Sequence, residues 1–325
     1  MSSSQSIESR TFNSEYFKKI FAEITTPIIG VLIFLILWGI LAPKVVTSLG
    51  AVPGPKQVYS QFLALVDEHQ NERQKQVAFY DRQETRNAKK LVKDPNAKVK
   101  IRQYAGNPTF FDQIITSIVT VMAGFLLASI IAIPIGIVAG LSKTFYAALN
   151  PLVQIFKPVS PLAWLPIVTM IVSATYVTSD DAWFDKSFLN SAITVLLCCL
   201  WPTIISTAVG VTNVSKDLQN VSHVLRLSWW THVRKIVLPS AIPMIFTGLR
   251  LSLGIAWMVL IAAEMLSQNP GLGKFVWDEF QNGSSNSLSR IMVAVVVIGL
   301  IGFLLDRIML FLQSKVSWDK SVSLR

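Results

Sequence analysis

The sequence predicts an all-α protein, a polytopic membrane helical bundle with about six transmembrane helices. Two compositional observations and one pattern carry that expectation. Of the 325 residues, 52% are hydrophobic and only 15% charged, against about 25% charged in an ordinary soluble domain. Mean hydropathy is +0.50. The apolar residues gather into runs separated by polar or basic turns, and lipid admits only helices or closed barrels across it. A net charge of +10 would suggest nucleic acid as a partner of a soluble chain. Here basic loops facing anionic lipid and the cytoplasm account for it, and no nucleic-acid partner is expected.

The elements follow in order. Residues 1–27 are a polar cytoplasmic tail of mixed charge, with room for a short interfacial helix over 14–24. The first apolar run starts too late for an ordinary signal peptide, so residues 28–43 are expected to be a retained first span, short for a core of about 30 Å. Residues 44–113 form an external loop. In it Pro53, Gly54 and Pro55 open a turn, 58–66 is amphipathic, and 67–100 is charged and reads as an exposed helix with loops. Its many cations do not contradict an external position, because loops longer than about 60 residues escape the positive-inside rule.

Residues 114–312 are the transmembrane core. The second span, 114–141, carries Gly124, Gly136 and Gly140 with Ala128, which suit close helix packing, and Pro134, which kinks it. Pro151, Pro158, Pro161 and Pro166 exclude a straight helix for the third span, 147–177. Broken backbone at membrane depth is tolerated where it packs in protein or lines a cavity, which makes this span a pathway candidate. Residues 178–186 form an acidic outer loop with Asp180, Asp181 and Asp185, and 188–210 is a fourth span bent at Pro202. The fifth span is 241–265, a glycine-rich loop with Gly271, Gly273 and Gly283 follows, and the sixth span is 291–312. An even count puts both termini, including the tail 313–325, in the cytoplasm.

Between spans four and five lies a cytoplasmic loop, 211–240, that is polar, basic and aromatic. Ser215 is its N-cap and Asp217 favours the positive end of the helix dipole. Leu218, Val221 and Leu225 recur on one helical face. Ser228 caps a second short helix near 229–238, which Pro239 is expected to end.

Enzymatic chemistry is not expected. No phosphate loop is present: the strings from Gly140 and Gly271 lack its spacing and its final Ser or Thr. The three histidines, His69, His223 and His232, give no metal-ligand spacing, and Cys198 and Cys199 are neighbours that point apart on a helix.

Several motifs agree in order and spacing with importer permeases of the ATP-binding-cassette class. They are N-V-x-x-V-L-R-L-S from Asn220, I-x-L-P from Ile236, T-G-L-R-L-S-L-G-I-A-W from Thr247, A-A-E-M-L from Ala262 and K-P-V-S-P-L-A-W-L-P-I from Lys157. The chain resembles the branch importing nitrate or nitrite, bicarbonate and cyanate, with sulfonate and taurine permeases further off. It departs from the general motif at its front: Arg226 stands where the family has Gly, and Asn220, Val221 and Ser222 where it has Glu-Ala-Ala.

The resemblance implies a type I, MetI-like importer fold and a location in a bacterial inner membrane. It also implies a homodimer with a second copy of the chain, two ATPase subunits that carry the ATP and Mg, and an external substrate-binding protein. The charged insertion, 66–107, is then either a solvated addition or a docking surface for that protein. The expected ATPase-coupling residues are Asn220, Val221, His223, Val224, Arg226, Leu227, Trp229 and Trp230, on a short helix over 220–230 laid in a groove of the ATPase. The expected translocation path is Lys157, Ser160, Trp164, Thr169 and Ser173 on the broken span, with the intramembrane charges Arg250 and Glu264. Nitrate is the first expected cargo. The rival readings are an ATP-independent secondary transporter or channel, and a membrane scaffold.

Overall fold

The computed structural model describes residues 25–316 except 48–49, 95–98, 100, 177–183 and 285. The expected interfacial helix over 14–24 and the carboxylates Asp180 and Asp181 lie outside the described residues. The first helix, α1 (Thr25–Lys44), is 20 residues, longer than the expected span and long enough to cross the hydrocarbon. A two-residue hairpin pair, β1 (Val46–Thr47) and β2 (Gly50–Ala51), follows it.

The insertion differs from its expected outline. It is one unbroken helix, α2 (Pro55–Lys93), of 39 residues, about 58 Å long at 1.5 Å per residue. Its start packs into the bundle through Val58 and Leu65, while the charged remainder extends beyond. The returning chain is laid along it: Gln83 exchanges two hydrogen bonds with the backbone of Arg102, and the Tyr104 hydroxyl donates to Glu72 at 2.7 Å. That bond holds the Glu72 carboxyl below its ordinary pKa and pushes the Tyr104 phenol up.

The core helices are α3 (Phe110–Leu141), α4 (Lys143–Phe156), α5 (Pro161–Thr175), α6 (Lys186–Thr212), α9 (Leu238–Ser267) and α11 (Ser287–Val316). Among the described residues five helices are long and apolar enough to cross a membrane, and α4 with α5, bent by 100° at a short break, make a sixth if the pair counts as one span. Thr109 caps α3, accepting from the Asp112 N–H while Asp112 reaches back. α6 lies at the centre, packed along α3 on one side and α9 on the other. The α3 glycines set that closeness. A Cβ on Gly124 would sit 2.6 Å from the Ala192 carbonyl oxygen, and one on Gly136 2.5 Å from the Thr207 Cβ. The main core joins Val121 and Phe125 of α3, Val195 and Cys199 of α6, Leu253 and Leu260 of α9 and Val293 of α11. α1 is peripheral: 6% of its apolar window is buried, against 50% for α6. Trp38 holds it, packing on the core and donating to the Pro53 carbonyl.

Three further departures have local causes. The loop expected after the fifth span contains a helix, α10 (Leu272–Asn282), flanked by Gly271 as N-cap and Gly283 in the left-handed region. The expected helix over 220–230 is interrupted. α7 (Lys216–Val224) ends there, because Arg226 takes φ +45° and turns the chain. Pro239 ends nothing. The short α8 (Trp229–His232) runs through a π turn, Val233–Val237, straight into α9, giving one helix from Trp229 to Ser267. The wider turn just before Pro239 takes up the missing N–H and the ring, which would break a regular α-helix.

Candidate functional site

The α7–α8 loop is built by its caps. Ser215 Oγ accepts from the Leu218 N–H, and Ser228 Oγ from that of Thr231. Ser222 Oγ and His232 Nδ1 lie 2.8 Å apart and fasten α7 to the root of α9. The Leu227 N–H donates to the Ser222 carbonyl, closing the turn at Arg226. What this frame holds outward is apolar and aromatic. Val224 is 82% exposed and Trp230 74%, beside exposed Val221, Leu225 and Trp229, and the two indoles meet edge to face at 5.1 Å. Asn220, His223 and Arg226 are exposed with them, whereas Leu227 is half-buried. An exposed apolar surface of this kind suits either a protein partner or a lipid surface.

The broken span forms a hairpin. Lys157, exposed, caps the end of α4, and Ser160 caps α5, its Oγ accepting from the Leu162 N–H. Trp164 and Thr169 are half-buried and Ser173 is exposed. Trp164 packs on Phe156, which in turn stacks on Trp201 of α6.

The two intramembrane charges are placed elsewhere. Arg250 is paired through its guanidinium with both carboxylate oxygens of Asp306 on α11. Glu264 is fully buried where α3, α9 and α10 meet. The Ser117 hydroxyl lies 2.9 and 2.8 Å from its two oxygens, and the Gly273 N–H donates to it at 2.9 Å. Ser117 also accepts from the Leu272 N–H at 2.8 Å. Burying a carboxylate is costly unless it is so satisfied, and here the satisfaction docks α10 on the bundle. Sequence reasoning missed Asp306, though the same rule that singles out Arg250, charge inside an apolar run, would have found it. Trp201 and Ser117 gave no local signal. Among the described residues no cluster of His, Cys, Asp or Glu could hold a metal ion. Cys198 and Cys199 are free thiols on α6.

Residues 132–318 match the family described as "Binding-protein-dependent transport system inner membrane component". The chain belongs to that family. The permease is 38% identical to the nitrate import permease protein NrtB of Leptolyngbya laminosa over 67% of this chain and 74% of that one. It is 34% identical to the bicarbonate transport system permease protein CmpB of Synechococcus elongatus, over 89% of this chain and 88% of that one. In solved structures the permease resembles an inward-facing MetNI methionine ABC transporter chain, with a TM-score of 0.55 at 12% identity over 63% of this chain and 95% of the other. At that identity the likeness concerns the fold, and it agrees with the expected type I arrangement. The matched stretch of the permease starts inside α3, so α1 and the long α2 lie outside it.

Proposed function

We infer that this permease is the membrane-spanning subunit of an ATP-driven importer that moves a small inorganic anion, nitrate first, into the cytoplasm by alternating access. One observation carries the mechanical part. The exposed α8, with Trp229 and Trp230, is continuous through the π turn with α9, so a push on these indoles is delivered to a span without a break in the helix. Asn220, Val221, His223, Val224, Arg226, Trp229 and Trp230 form the outward face that a separate ATPase subunit would grip, and Leu227 supports it from behind. ATP and Mg are held by two such subunits, and the complex holds two copies of this chain and an external binding protein. Both termini, with the α7–α8 loop, face the cytoplasm.

The path runs beside the α4–α5 hairpin, where Lys157 draws the anion in and Ser160, Thr169 and Ser173 offer hydroxyl donors. Trp164 walls it. Arg250 and Glu264, each satisfied by partners in its own chain, act as fasteners of α9.

The relatives' names support nitrate. Bicarbonate is the second reading, favoured by the longer alignment with the bicarbonate permease. The test is the reconstituted complex of permease, ATPase subunits and binding protein in liposomes. ATP hydrolysis should rise with nitrate-loaded binding protein, and labelled nitrate should accumulate inside. Uptake by the permease alone, with no nucleotide, would instead establish a channel or secondary transporter.

A further inference from the structure

The ends of α3 and α6 and the starts of α4 and α7 line one open cleft of about 920 Å³. Its place in the fold fixes its depth. α3 and α6 are both long and apolar enough to cross the membrane, and their last residues, Leu141 and Thr212, line the cleft. It therefore lies where hydrocarbon gives way to water, on the side of the α7–α8 loop. The lining has two characters. The span ends contribute Gly140, Leu141, Val209 and Val211, of which Leu141 and Val209 are exposed although apolar. The turns beyond them contribute Lys143, Tyr146 and Lys216. Tyrosine is at home at a membrane boundary, with its ring in the apolar layer and its hydroxyl in the wet one. Charge in the cleft is of one sign. Lys143 and Lys216 are exposed, and neither makes an ion pair among the described residues. The other titratable groups of the lining are Tyr146, His223 and His232, and no carboxylate is among them. The bias continues along the chain. Residues 139–161 and 205–249 carry Lys143, Lys157, Lys216, Arg226, Arg234 and Lys235 against one carboxylate, Asp217, which is not part of the lining. Neutral polar groups of the cleft are already in use. Thr212 Oγ1 donates to the Ala208 carbonyl at 2.9 Å, the Gln219 amide to that of Val214 at 3.1 Å, and Ser215 Oγ accepts from the Leu218 N–H.

We propose that this cleft is a binding site for the headgroup of an anionic phospholipid, its phosphate met by Lys143 and Lys216 and its glycerol and first acyl carbons laid against Leu141 and Val209. Unpaired cations in a pocket between spans, at the inner boundary, suit such a headgroup. The two lysines stand on different helices, and each ammonium is a mobile charge on a flexible stem, so both can close on one phosphate. The size and the wall of the cleft select the lipid over the cargo. A small inorganic anion needs a minor part of this volume and gains nothing from apolar side chains, whereas a phospholipid brings a charge and an apolar portion together. Lipid is also the solvent at this depth. Seated there, the headgroup ties the turn into the α4–α5 hairpin to the start of α7, two parts of the chain that no ion pair joins among the described residues. The inference goes beyond the importer reading and needs only the membrane placement of α3 and α6.

The test titrates the full-length permease in detergent, alone and with its ATPase subunits, with phosphatidylglycerol or phosphatidylcholine, and native mass spectrometry counts the lipid bound. The parent is expected to prefer phosphatidylglycerol. Lys143→Gln and Lys216→Gln should each weaken its binding about fivefold and leave phosphatidylcholine unchanged, while Lys143→Arg keeps the preference. Both lysines are exposed, so the Gln variants are expected to fold as the parent does. Arg234→Gln with Lys235→Gln removes two exposed cations of the same loop that do not line the cleft, and should leave binding as it was. An equal loss in that control would show diffuse attraction to a basic face and overturn the inference, as would equal binding of the two lipids. Glycerol 3-phosphate and inorganic phosphate are added as competitors; if either displaces the lipid at the lipid's own concentration, the ligand is a free phosphate and the lipid assignment fails. If the Gln variants lose the ATPase subunits yet keep phosphatidylglycerol, the cleft belongs to the ATPase and the inference falls. Uptake is not read, so the importer reading can fail without touching this result.

Discussion

Arg226 occupies a backbone position with φ +45°, where a side chain crowds its own carbonyl and glycine does not. The family's glycine at this point of the motif thus has a conformational reason, and this chain keeps the turn at a cost. Arg226→Gly is expected to stabilise the purified chain by about 1 kcal/mol, and the β-branched Arg226→Val to destabilise it by more. Thermal melts of the three proteins check the order. The same residue scale separates stability from coupling at Trp230, 74% exposed. Trp230→Ala should leave the melting of the isolated permease unchanged yet weaken ATPase binding by about 2 kcal/mol, as for a central interface aromatic. Equal co-purification of the ATPase with both proteins would place Trp230 against lipid headgroups instead.

Between elements, the α3–α6 seam depends on side chains that are missing. At Gly136 a single added carbon already meets the Thr207 Cβ at 2.5 Å and the Ile204 carbonyl oxygen at 2.9 Å. Gly136→Leu is expected to force the two helices apart, at a cost of about 3 kcal/mol or more. Loss of folded, monodisperse protein in detergent, with Gly254→Leu as a tolerated control in open space, is the measurement. That seam was legible beforehand, because small residues repeating along an apolar helix have few other uses. The helix α10 was not. Gly271, Gly273 and Gly283 suggested a loop, yet two of them sit at the helix's ends, where glycine is at home. The break within the third span was legible from its prolines; its 100° angle was not, since proline forbids a straight helix without choosing the bend. Pro239 misled for a related reason: nothing local announces the π turn that accommodates it.

For the whole molecule, the long α2 is tied to α3 by Arg73 with Asp112 and His69 with Thr109, and to α11 by Arg290. Arg290 donates to both carboxylate oxygens of Glu68, at 2.6 and 3.1 Å, and also pairs with Glu279 of α10. Arg290→Gln should loosen the α2–α11 contact, seen as faster tryptic cleavage at the lysines and arginines of α2, while the cleavage pattern of α6 and α9 stays as it was. Unchanged cleavage of α2 would show that the packing of Val58 and Leu65 and the ties to Thr109 and Asp112 of α3 suffice to anchor it.

Sequence alone determined the helical membrane class, the apolar runs that became the long helices, the glycine seam, the caps at Ser215 and Ser228, and the lack of a phosphate loop. Each follows from composition, period or spacing within a few residues, and the demand of lipid for a satisfied backbone leaves few alternatives. Tertiary structure alone decided which polar groups meet. Arg250 with Asp306, Ser117 with Glu264 and Arg290 with Glu68 are separated by 56, 147 and 222 residues, and Trp164 and Trp201 each pack on Phe156 from a different helix. A buried charge or donor must find a partner, but local pattern is silent on how far along the chain that partner lies; the packing of helices settles it.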